Sequence, residues 1–161
     1  MSIVVVSDAS PLNYLALIDA VGVLPRLYSS VLIPPAVAAE LSNPKAPTVV
    51  AALIRNPPSW LEVRRPNRVD YSLGLDAGET EAIALATELG IEAVLMDERK
   101  GRKQAKQKGL TPVGTLTILE QAAEDGWIDF EECVNRLGAT SFRLHPQVID
   151  EVRERLRGRH R

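Results

Sequence analysis

The sequence predicts an α/β fold, a three-layer α/β/α sandwich with a mainly parallel central sheet and a helical C-terminal tail. Three observations carry this expectation. Ile3-Val4-Val5-Val6, Val31-Leu32-Ile33 and Ala93-Val94-Leu95-Met96 are short, wholly apolar runs, the pattern of strands buried on both faces in a parallel sheet. Capped segments with helical spacing alternate with these runs, as βαβ units require. The first and third runs lead into acids, Asp8 and Asp97, at strand ends where open α/β sheets bind ligands.

The elements follow in order. Ser10-Pro11 supplies an N-cap serine and a proline at the first helical position, and Leu12, Leu15, Ala16 and Ile18 recur at helical spacing before Gly22. Val23 to Tyr28 reads as a short second helix. Pro34-Pro35 stops the second strand and opens a helix from Ala36 to Leu41 that carries Glu40, and Asn43-Pro44 ends it. Pro47 starts the next helix, with Val49, Val50, Leu53 and Ile54 apolar, and Pro57-Pro58 closes it. Trp60 to Val63 is an expected edge strand, and residues 64–74 a polar loop. Asp76-Ala77-Gly78-Glu79 opens a long helix through Leu89, with Gly90 as its C-cap. Arg99 to Lys108 is a basic helix closed by Gly109, and Thr111 to Gly114 a short strand or its end. Leu116 to Ala123 is a helix ending near Gly126. The tail reads as helical from Asp129 to Leu137, extended from Ser141 to Leu144, then a charged helix from Pro146 to Arg157.

Composition limits the function classes. A chain of 161 residues suits one domain with a proper core. Its net charge of −2 provides no global basic field, so affinity for nucleic acid must come from a local patch. Cys133 is the single cysteine, which excludes an internal disulfide and a cysteine-rich zinc site. No apolar run approaches the roughly 20 residues of a membrane span. No basic segment precedes the first apolar run, so no signal peptide is expected and the chain reads as cytoplasmic.

The chemistry rests on acids. A lone Asp after a strand is often the N-cap of the next helix, but Ser10 already supplies a cap beside Asp8, and two acids on equivalent strand ends ask for another explanation. Glu40 alone reads as a solvated face. Asp76 and Glu79 fit a D-x-x-E capping pattern; if Glu79 caps, Glu81 becomes the better ligand, since residues i and i+2 point about 200° apart on a helix. Carboxylates gathered without cations raise one another's pKa, so such a cluster suits a hard cation such as Mg²⁺ or Mn²⁺. A metal held by acids lowers the pKa of a bound water and polarises a phosphodiester. The basic helix after Asp97 offers Arg99, Arg102, Lys103 and Lys106 to a phosphate backbone.

The order of these motifs resembles the PIN-domain family. The matching stretches are the first strand with Asp8-Ala9-Ser10-Pro11, then Ile33-Pro34-Pro35-Ala36-Val37-Ala38-Ala39-Glu40-Leu41. Gly78-Glu79-Thr80-Glu81-Ala82-Ile83-Ala84-Leu85-Ala86, Val94-Leu95-Met96-Asp97 and Val113-Gly114-Thr115 follow. The resemblance covers roughly residues 3 to 125 and implies a PIN-like nuclease domain over 1–125; residues 126–161 are expected to form a C-terminal helical extension packed on the same domain. It implies a Mg²⁺- or Mn²⁺-dependent endoribonuclease like the VapC-type toxins, in a toxin-like prokaryotic branch. Asp8, Glu40, Glu79 and Asp97 are then the catalytic residues, with Asp8, Asp97 and either Glu79 or Glu81 as metal ligands. RNA, an antitoxin protein and a second copy of the chain are the implied partners. Glu in place of the usual third Asp departs from the family pattern, and the tail from Asp129 onward has no counterpart in it.

Other classes fit less well. A catalytically weak PIN-fold module that binds RNA or protein is the main alternative. A phospho-acceptor receiver domain wants paired acids after its first strand and a late Lys, and Pro112-Val113-Gly114 has none. No G-x-G-x-x-G follows the first strand, against a dinucleotide-binding fold. The only histidines, His145 and His160, lie in the tail, and no G-x-S-x-G is present, against a serine hydrolase.

Overall fold

The computed structural model describes residues 2–159, so His160 lies outside the described residues. Strands β1 (Val4–Ser7), β2 (Ser30–Ile33), β3 (Leu61–Val63), β4 (Ala93–Leu95) and β5 (Thr111–Val113) form one sheet in the order β3-β2-β1-β4-β5. Every neighbouring pair is parallel. The helices are α1 (Ala9–Leu17), α2 (Leu24–Leu27), α3 (Pro35–Leu41), α4 (Thr48–Arg55), α5 (Ala77–Leu89), α6 (Arg99–Gln107), α7 (Thr115–Glu124), α8 (Phe130–Leu137) and α9 (Pro146–Arg159). None among the described residues is long and apolar enough to cross a membrane.

The period of two along each strand sorts the core into layers. Val5, Val31, Ile33 and Leu95 join one apolar cluster with α1, α7, α8 and α9. Val6, Leu32, Val94 and Met96 face the other way, into a second cluster with α5 and α6. This is the three-layer α/β/α sandwich, and because both faces are covered the strands read as unbroken apolar runs.

The chain winds outward from β1 to β2 and β3, then crosses back through α5 to place β4 on the other side of β1. Between β1 and β4 the winding reverses, and the crevice at the carboxyl ends of these two strands is where ligands bind in such sheets.

Three local expectations change. Helix α1 begins at Ala9, so Asp8 rather than Ser10 holds the N-cap position, with no side-chain capping bond. The Asp8 amide still extends the ladder to the Leu95 carbonyl at 2.9 Å, and the chain turns into the helix at once. Pro11 is tolerated because amides of the first turn lack intrahelical partners. Residues 21–27 divide into a 3₁₀ turn and a four-residue α2, and the polar loop holds a 3₁₀ turn at Tyr71–Leu73 capped by Asp70.

The tail is part of the same core. Phe130, Cys133, Leu137, Ile149 and Val152 are buried in the cluster that holds Val5 and Leu12. Arg155 grips Glu120 of α7 through two hydrogen bonds of 2.9 Å, and Arg159 reaches Glu124 at 3.0 Å. Between α8 and α9, residues 141–145 cross the carboxyl edge of the sheet without regular structure, and the His145 carbonyl accepts from the Ile149 amide at 3.1 Å.

Candidate active site

Register brings the two strand-end acids together. Val6 pairs with Val94 and Ser7 with Leu95, so Asp8 and Asp97 leave adjacent strands at the same edge. Both line a cavity of about 870 Å³ together with Glu40, Asp76 and Glu79.

Asp97 is held rigidly. Its Oδ2 accepts from the Ser10 hydroxyl at 2.6 Å and the Thr115 hydroxyl at 2.8 Å, and its Oδ1 accepts from the Thr115 amide at 2.7 Å. The last bond comes from the first turn of α7, where the helix dipole favours an anion. Gly114 permits the approach: a Cβ there would sit 3.2 Å from Asp97 Oδ1 and 3.1 Å from Arg102 Nη1. Arg102 is fixed in turn by donating from Nη1 to the Met96 carbonyl at 3.0 Å.

Asp8 and Glu79 are nearly sealed, at 6 % and 5 % exposure. Burial, reinforced by the charges of Asp76, Glu40 and Asp97, pushes the Asp8 carboxyl from its ordinary 3.8 to about 7, although the Ala9 amide opposes this. Burial and then Asp76 and Asp8 push Glu79 from 4.5 to about 8. Glu40, exposed at the rim, is also raised, by partial desolvation and by Asp76. Asp76 caps α5, its Oδ1 accepting from the Glu79 amide at 2.8 Å. Glu79 Oε2 is buried with no hydrogen-bond partner. It lies beneath Gly101 of α6, where any Cβ would collide with it.

The capping pattern thus resolves as Asp76 capping and Glu79 left facing the interior. Glu81 points away: its Oε1 accepts from the Ala36 amide at 3.0 Å and its Oε2 from the Tyr71 hydroxyl at 3.3 Å, so it anchors α3 and does not line the cavity. Asp76 does line it, though its capping role hid it in the sequence.

The basic helix divides by face. Gly101 and Ala105 are buried against the sheet layer, while Arg99, Arg102, Lys103 and Lys106 fall at i, i+3, i+4 and i+7 on one stripe. Arg99 and Arg102 border the acidic cavity, and all four line a shallow depression beside it. The tail lines the cavity as well, with Ser141, Phe142, Arg143 and His145. Sequence spacing gave no sign of this, because the tail reaches the site only by packing over α1 and α7.

The donor set is all oxygen, and one buried carboxylate oxygen has no partner. Hard divalent cations prefer such donors. Among the described residues no three acidic, histidine or cysteine side chains already form a metal cage. A hydrated Mg²⁺ does not need one, since it keeps several waters and is bound through one or two carboxylates. Asp8, Glu79 and Asp97 are the cavity carboxylates from which such an ion would draw its one or two protein ligands.

Comparison with known proteins agrees with the fold. A family model described as a PIN domain matches residues 4–157. That span includes the tail, for which the motifs alone offered no counterpart. A solved structure of a PilT N-terminus domain protein from the hyperthermophilic archaeon Sulfolobus solfataricus P2 superposes with a TM-score of 0.52 at 16 % identity, covering 89 % of this chain and 98 % of that one. At that identity the likeness concerns the fold. No curated protein matches the chain in sequence. With a family model spanning nearly its whole length and a carboxylate cluster at the switch point of its sheet, the chain belongs to the PIN-domain family.

Proposed function

We infer that this chain is a nuclease that uses divalent metal ions, as PIN domains generally are. We propose that this chain is a Mg²⁺- or Mn²⁺-dependent endoribonuclease, hydrolysing phosphodiester bonds of RNA in the cavity between β1 and β4. The observation that carries the reading is the convergence of Asp8, Glu79 and Asp97, with Glu40 and Asp76 beside them, in one cavity flanked by the Arg99 and Arg102 side chains. Burial, and after it the neighbouring negative charges, raises Asp8 and Glu79 and disfavours ionising these acids together without a counter-charge.

Asp8, Glu79 and Asp97 would hold the cation. When bound, it supplies a water of lowered pKa and polarises the phosphodiester. The chain's own part is positional and electrostatic. Ser10 and Thr115 lock the Asp97 carboxylate in one orientation, and Met96 does the same for the Arg102 guanidinium. Arg99 and Arg102 place positive charge where the phosphate backbone enters. Family resemblance adds the toxin half of a toxin–antitoxin pair, with an antitoxin protein and a homodimer as partners.

The lack of a ready-made group of three metal ligands among the described residues favours one second reading, a catalytically weak PIN-fold module that binds RNA or protein. Incubating the purified chain with single-stranded RNA in Mn²⁺ and in EDTA separates the two. The nuclease reading expects internal cleavage in Mn²⁺ alone; intact RNA in both favours the binding module.

A further inference from the structure

The part of the cavity lining that the tail supplies has its own chemistry. Phe142 and Tyr14 meet edge to face, with ring centroids 5.0 Å apart and planes at 78°, and both border the cavity. The Tyr14 hydroxyl and the Ser141 hydroxyl are 2.8 Å apart, tying the tail segment to α1. Tyr14 stands six residues after Asp8, a rise of about 9 Å along the helix. Aromatic rings therefore lie on the same cavity as the acidic floor, one helix-length step away.

Arg143 gives a second, independent observation. The other described arginines of the tail are committed to acids: Arg136 to Glu132, Arg153 to Glu131 and Asp150, Arg155 to Glu120, Arg157 to Glu154, and Arg159 to Glu120 and Glu124. Arg143 forms no ion pair among the described residues, and it is the one that borders the acid-lined cavity. An exposed guanidinium next to half-buried rings suits a polymer that presents phosphates and flat bases together.

We infer that Phe142, packed edge to face with Tyr14, stacks an unpaired nucleobase of single-stranded RNA while Arg143 takes a neighbouring phosphate, so that the tail selects unpaired substrate for the acidic floor. The inference rests on the RNA-nuclease reading for the identity of the polymer. Stacking on an aromatic ring tolerates any base and excludes a paired one.

The test uses the full chain with a single-stranded oligoribonucleotide carrying one 2-aminopurine, in Ca²⁺, its integrity checked on a gel. Stacking quenches 2-aminopurine fluorescence. Wild type is expected to bind with quenching. Phe142→Leu keeps apolar bulk without a π-face and should lose the quenching and about tenfold in affinity, whereas Phe142→Trp retains both. Arg143→Ala should keep the quenching, bind more weakly and flatten the salt dependence by about 0.7 in log–log slope. A melting curve confirms that each variant is folded. Quenching and affinity unchanged in Phe142→Leu, or no quenching with wild type, overturns the subsite. Cleavage in Mn²⁺ is scored separately: stacking without cleavage removes the nuclease reading and leaves the subsite standing.

Discussion

Ser10 and Asp97 are 87 residues apart in the chain, and the Ser10 hydroxyl donates to Asp97 Oδ2 at 2.6 Å. The bond joins the first turn of α1 to the loop after β4, across the two central strands. It also changes what Asp97 is expected to do. Charge crowding alone predicts that Asp97→Asn relieves repulsion and melts higher in EDTA. Three donors aimed at its carboxylate predict the opposite.

Asp97→Asn in EDTA should therefore melt lower than wild type, because an amide presents only one acceptor oxygen to three donors. Ser10→Ala should lose about 1.5–3 kcal/mol, the usual worth of a hydrogen bond to a charged group. Urea denaturation checks both, with the midpoint falling at unchanged slope. An Asp97→Asn protein more stable than wild type would show repulsion to outweigh the three bonds.

A pH dependence follows from Asp8 and Glu79. A carboxyl whose folded pKa is raised binds its proton more tightly when folded. Its stabilising contribution is complete below the unfolded value, about 4, and is lost as pH climbs through the folded value. With Asp8 at about 7 and Glu79 at about 8, the metal-free protein should weaken steadily from about pH 4 to about pH 8. Glu79→Gln should blunt the upper part of that loss, melting above wild type at pH 8 and close to it at pH 5. Mn²⁺ should restore wild type by about 2.7 kcal/mol at a hundredfold excess over its Kd. Thermal melts at the two pH values in EDTA decide the matter; parallel profiles for wild type and Glu79→Gln would contradict it.

Gly101 is where α6 closes over Glu79. A Cβ there would meet Glu79 Oε2 and come within 2.6 Å of Met96 Sδ. Ala in place of Gly ordinarily favours a helix by up to about 1 kcal/mol, yet Gly101→Ala should destabilise by about 1–3 kcal/mol through overpacking. Gly158→Ala in α9, where a Cβ meets nothing within 4 Å, serves as the control and should be neutral or slightly stabilising. Equal midpoints for the two variants would mean that α6 has room to move.

How much of this was legible in the sequence depends on which physics placed each residue. The buried parallel strands announced themselves, since Val4-Val5-Val6 and Val94-Leu95-Met96 must be apolar on both faces. Asp8 and Asp97 were visible because a polar residue ending such a run stands out. Glu79 and Glu81 cannot be separated without knowing which side of α5 faces the sheet; in the structure Glu79, buried under Gly101, is the one that lines the cavity. Asp76 was hidden by its capping signature, which is real and coexists with its place on the cavity. Ser10 resembles a cap because Ser before Pro usually is one, but its hydroxyl goes to the long-range partner Asp97. Phe142 and Arg143 had no local signal at all, for their position comes from the docking of α8 and α9.

The basic stripe predicts a salt effect. Lys103→Ala with Lys106→Ala should weaken RNA binding and flatten its log–log salt slope by up to about 1.4, at about 0.7 per phosphate contact on a single strand. Filter binding at several salt concentrations measures both numbers. Unaltered affinity and slope would assign this face to solvent or to a protein partner.

The most direct test of the central claim is the Mn²⁺-dependent cleavage of single-stranded RNA by Asp8→Asn beside wild type. The change keeps the shape of the side chain and removes an anion held next to Asp97 and Glu79. Cleavage should fall by at least about 10²–10³-fold, several kcal/mol of transition-state stabilisation, while the variant stays folded and still binds RNA. Cleavage by Asp8→Asn at the wild-type rate would contradict the account.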